Sequence, residues 1–92
     1  MKMRSIRFPN DLLGKMRALR HSHGLNYQRI VSRSLKLASI AQVDVELWRA
    51  RAPEECSTSL KIVVLRTYET VPGKHIVAAV NWAIKLGKLE EK

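Results

Sequence analysis

The chain has 92 residues, 46% of them apolar and 27% charged, with one cysteine and a formal charge of +9. This length allows one small domain or two miniature ones and buries roughly 60–65% of the unfolded surface, so self-association is the default expectation. Cys56 alone makes neither a disulfide framework nor a cysteine-based zinc site, and it fits a reducing compartment. No apolar run approaches the ~20 residues needed to span a bilayer, and the basic N-terminus lacks the apolar stretch of a signal peptide. The expectation is a cytoplasmic, oligomeric protein with no membrane partner.

The charge is unevenly placed. Residues 1–39 hold nine basic side chains (Lys2, Arg4, Arg7, Lys15, Arg17, Arg20, Arg29, Arg33, Lys36) and one acid, Asp11. Residues 40–92 hold eight basic and seven acidic ones. Solubility charge would be spread along the chain, whereas a field confined to one segment suits a surface that meets a polyanion.

In chain order, residues 2–8 alternate, with Ile6 and Phe8 on one side and Ser5 and Arg7 on the other, which predicts a half-buried strand. Pro9 closes the strand and fits a helix start. Asp11 then favours the positive helix end, and Leu12, Leu13, Met16 and Leu19 follow at helical spacing. The predicted helix, Asn10 to His23, stops at Gly24. Asn26 is a good N-cap for a second helix from Tyr27 to about Ile40, with Ile30, Val31, Leu35, Leu37 and Ala38 inward. Residues 43–52 suggest a short helix, and residues 53–58 a polar connector. Leu60 to Leu65 is β-branched and continuous, which suits a buried strand or a helix capped by the serines and threonine at 57–59. Pro72-Gly73 marks a turn. A last helix is expected from Ile76 to about Lys88, with the tail 88–92 fraying.

The block Arg4-Ser5-Ile6-Arg7-Phe8-Pro9, the helix 10–23 and the turn Gly24-Leu25-Asn26-Tyr27-Gln28-Arg29-Ile30-Val31 together resemble the ribbon-helix-helix (MetJ/Arc/CopG-type) family of DNA-binding proteins. The turn is similar to the family's Gly-x-Ser-x-Ser-Glu-x-Ile, with Asn26 and Gln28 for the serines and Arg29 for the acid. The resemblance covers residues 2–40. It implies an α+β fold, mostly α, in which two chains pair their strands into an intertwined homodimer. It also implies sequence-specific binding of double-stranded DNA, most simply as a transcriptional repressor. The family's other roles, antitoxin or relaxosome accessory protein of a conjugative plasmid, use the same module.

Elementary physics points the same way. One strand and two short helices leave unpaired edges and an open core, which a second copy would close. The outer face of a two-stranded ribbon fits the major groove, and parity puts Met3, Ser5 and Arg7 there as base readers. Arg7 can pair bidentately with guanine, Ser5 can bond several base edges, and Met3 offers an apolar contact. Lys2, Arg4 and Arg29 are candidate phosphate contacts. So are the free N–H groups of Asn26, Tyr27 and Gln28 at a helix start. Arg4 departs from the pattern, since its parity is inward.

No catalytic constellation, cofactor motif or metal site emerges. His21 and His23 do not share a helical face, and Pro72-Gly73-Lys74-His75 is not a phosphate loop. Residues 1–40 are thus expected to bind DNA and dimerise. Residues 41–92 are expected to be an extension for oligomerisation or partner binding, or a degenerate second copy. The second copy would lay Gly73–Leu86 on Gly24–Leu37, an offset of 49, and residues 60–70 on the first helix.

Overall fold

Residues 2–42 and 58–90 are described by a computed structural model. The alternation at the N-terminus makes strand β1, Lys2–Phe8, with Ile6 and Phe8 buried. Pro9 ends it and accepts the first helical hydrogen bond, from the Leu13 N–H at 2.9 Å. Helix α1, Asn10–His23, buries Leu12, Leu13, Met16 and Leu19. It stops at Gly24, whose φ of 65° is left-handed and whose N–H donates to the Arg20 carbonyl at 3.1 Å. Glycine adopts that conformation without a Cβ penalty. Helix α2, Tyr27–Ile40, begins at Asn26, whose Oδ1 accepts from the Arg29 N–H at 2.8 Å. It buries Ile30, Val31, Ser34, Leu35 and Ala38. Ser34 is tolerated in the core because its hydroxyl donates to the Ile30 carbonyl at 2.7 Å.

The second segment begins with strand β2, Thr58–Val64. A 3-10 turn follows at Arg66–Tyr68, and helix α3, Gly73–Lys85, comes next. Helix α3 buries Ile76, Val77, Ala78, Ala79, Val80 and Ala83, so its middle is enclosed on most sides while its first turn stays open. Residues 43–52 and the connector through Ser57, expected as a helix and a polar link, lie outside the described residues.

The two strands form an antiparallel sheet, Lys2 opposite Val64 and Phe8 opposite Thr58, with Ser5 and Lys61 at the centre. Helix α2 packs against β2, α3 packs against β1, and α2 and α3 pack on each other. Each strand is therefore covered by the helix of the other segment. One cluster of buried side chains runs from Ile6 and Phe8 through α1 and α2 to Ile62, α3 and Leu89.

Four expectations are corrected. Strand β1 was expected to pair with its copy in a second chain, but its hydrogen-bonded neighbour is β2 of the same chain. The physical reason is that Ile62 and Val64, 2% and 1% exposed, supply the missing apolar face beside Ile6 and Phe8. The repeat with its offset of 49 placed residues 60–70 on a helix, whereas residues 58–64 are a strand and only the short turn at 66–68 stands where a first helix would be. Helix α3 starts three residues earlier than expected, at Gly73, and ends at Lys85, where the left-handed Gly87 (φ 68°) redirects the chain. The tail does not simply fray through residue 90: Lys88–Glu90 form a 3-10 turn, and Leu89 is only 3% exposed.

Candidate nucleic-acid interface

Cross-strand neighbours in an antiparallel ladder share a face. The register thus puts Met3 with Val63, Ser5 with Lys61, and Arg7 with Ser59 on the side of the ribbon away from the helices. Met3, Ser5, Arg7, Ser59 and Lys61 are exposed, and Val63 is half-buried. The opposite side carries the core residues Ile6, Phe8, Ile62 and Val64. The three expected base-reading residues, Met3, Ser5 and Arg7, therefore do share one open face.

Ser59, Lys61 and Val63 complete that face and were missed from sequence. Their signal is the alternation of Ser59 and Lys61 with Leu60 and Ile62. It is obscured because Val63 makes the end of the run look continuously apolar.

Two helix starts flank the ribbon. The N-terminus of α2 lies beside the end of β2: Asn26, Gln28, Arg29, Ser32 and Leu65 line one open groove. Since Val64 is opposite Lys2, this is also where β1 begins. Asn26, Gln28 and Arg29 are exposed. The Asn26 side chain satisfies the Arg29 N–H. The N–H groups of Tyr27 and Gln28 have no acceptor within the helix, as in any first turn. The Tyr27 ring carries the Arg20 guanidinium at 5.6 Å from its centroid, which adds a further cation near this helix start. The second helix start, that of α3, abuts β1: a Cβ added at Gly73 would lie 4.0 Å from Ile6 Cγ2. Its first turn carries exposed Lys74 and no acid.

Arg4 is the exception among the expected phosphate contacts. It is half-buried, and its Nη1 donates to the Val71 carbonyl at 2.6 Å and lies 3.5 Å from the Tyr68 carbonyl. Its inward parity now has a cause. The 3-10 turn at Arg66–Tyr68 and the residues after it turn the Tyr68 and Val71 carbonyls toward β1, and a long cation satisfies them. Lys2 is exposed at the strand end.

The two strands and the two helices that start beside them carry charge of one sign. Neither strand and neither α2 nor α3 contains an aspartate or glutamate, while they carry Lys2, Arg4, Arg7, Arg29, Arg33, Lys36, Lys61, Lys74 and Lys85. Among the described residues, no group of three or more His, Cys, Asp or Glu side chains is placed to hold a metal ion. At the end of α1, His23 Nδ1 is 2.7 Å from Ser22 Oγ. No helix among the described residues is long and apolar enough to cross a membrane.

Comparison with protein-family models, curated proteins and solved structures finds no match.

Proposed function

We propose that the chain binds double-stranded DNA in the manner of ribbon-helix-helix proteins, with both strands of the ribbon supplied by one chain, and that it acts as a transcriptional repressor. The observation that carries this reading is the outer ribbon face, exposed, free of acids and bordered by two helix N-termini. A two-stranded ribbon is narrow enough to enter a major groove ~12 Å wide. Once it is there, the starts of α2 and α3 face the phosphates on either side, where unpaired N–H groups and the helix dipole favour anions. Lys2, Arg29 and Lys74 add charge at those flanks. Phosphate contacts hold the ribbon in register, and side chains on its outer face read the bases. The reciprocal packing of α2 on β2 and α3 on β1 supports the reading, because it gives one chain the crossed arrangement that the sequence resemblance assigns to two.

The test is a titration of duplex and single-stranded oligonucleotides over a range of salt. About four to six phosphate contacts per chain predict a slope of log affinity against log salt of about −4 to −5 on duplex. Preference for single strands, or duplex binding that salt leaves unchanged, would contradict the proposal.

A further inference from the structure

We propose that one chain reads a non-palindromic duplex site with a fixed direction, guanine at one end and thymine methyls at the other. The inference rests on the duplex reading above and specifies its target. A ribbon built from two identical chains presents the same side chains at both ends, related by the two-fold axis, so its target repeats in inverted order.

This ribbon has no such constraint. Its centre is Ser5 opposite Lys61. One end carries Arg7 opposite Ser59, both exposed and both with side chains able to hydrogen-bond a base edge. The other end carries Met3, 58% exposed, opposite the half-buried Val63, and neither side chain has a hydrogen-bond donor. A shift of 56 residues superposes β1 on β2 and turns Arg7 into Val63 and Met3 into Ser59, so the two-fold relation of the backbones is broken by the side chains.

The chemistry of the two ends differs accordingly. A guanidinium makes a bidentate pair with guanine O6 and N7, and a serine hydroxyl bonds an adjacent base edge. Among the major-groove features, thioether and isopropyl groups are best matched by the thymine C5-methyl. Lys61 at the centre donates to guanine O6 or N7 from β2, so the base-facing set includes residues from both strands.

The flanks also differ. The start of α2, with Asn26 and Arg29, lies at the apolar end beside Leu65, and the start of α3, with Lys74, lies toward Ile6. With Arg20 over the Tyr27 ring beside Arg29, against Lys74 at the other start, the weakly discriminating end has the more heavily charged helix start.

The experiment is selection of bound duplexes from a random pool by the full chain, followed by measurement of stoichiometry on the recovered site. The expected result is an asymmetric motif occupied by one chain per motif. Arg7→Ala should lose roughly 5- to 150-fold on that site and relax preference at the guanine end only. Arg7→Lys keeps the charge and should relax the same preference without changing the salt slope. Replacing thymines by deoxyuridine should cost about fourfold per contacted methyl, and only at the opposite end. An inverted-repeat motif holding two chains, or Arg7→Ala effects spread equally over both ends, would overturn the inference while leaving duplex binding intact. Failure to recover any duplex would overturn the duplex reading itself, and this inference with it.

Discussion

Phe8→Ala is expected to lower the stability of the chain by about 3–5 kcal/mol, the usual cost of truncating a fully buried phenylalanine. Phe8 is 0% exposed and sits at the end of β1 where the chain turns through Pro9 into α1, within the cluster that joins both segments. A domain of this size is stable by only about 5–15 kcal/mol, so the variant should lose a large share of its stability. Urea denaturation would show a lower midpoint with little change in slope. The same experiment on the unmodified chain reports on how the ribbon is made. If β1 pairs within its own chain, the midpoint does not move with protein concentration; if two chains share the ribbon, it rises with concentration. A Phe8→Ala cost under about 1 kcal/mol would mean that the inner ribbon face is not core in solution.

Arg4→Ala should cost about 1.5–3 kcal/mol of stability, because it removes a charged donor from the Val71 carbonyl. Its DNA affinity, measured under conditions where the variant is folded, should keep the salt slope of the unmodified chain. The contrast with a phosphate contact is sharp. A phosphate-binding arginine would leave stability nearly unchanged and make the slope shallower by about one. A stable Arg4→Ala protein with a shallower slope would return Arg4 to the DNA surface.

The N-terminal segment was legible because its signals are local. Pro9, Gly24 and Asn26 each act within a few residues, and each ends or starts an element where the structure has it. The period-two pattern of 2–8 likewise placed Met3, Ser5 and Arg7 on the open side and Ile6 and Phe8 inside. What sequence alone did not settle is non-local. The partner of Ser5 is Lys61, and the acceptor for Arg4 is 67 residues away. A β-branched run such as 60–64 declares itself buried but does not say against what, and an offset taken from the helices misplaced the strand because the second segment lacks a long first helix. Leu89 in the tail could not be told from a frayed residue until its docking site against the core existed.

The central claim is that the outer face of the β1–β2 ribbon enters the major groove. The most direct measurement uses the selected duplex with single guanines replaced by 7-deazaguanine, which removes only the major-groove N7 acceptor, or by inosine, which removes only the minor-groove amino group. Fluorescence anisotropy with the full chain should show weakened binding for 7-deazaguanine at the guanine opposite Arg7 and Ser59, and unchanged binding for inosine. Binding that tolerates every 7-deazaguanine and is weakened by inosine would contradict the account.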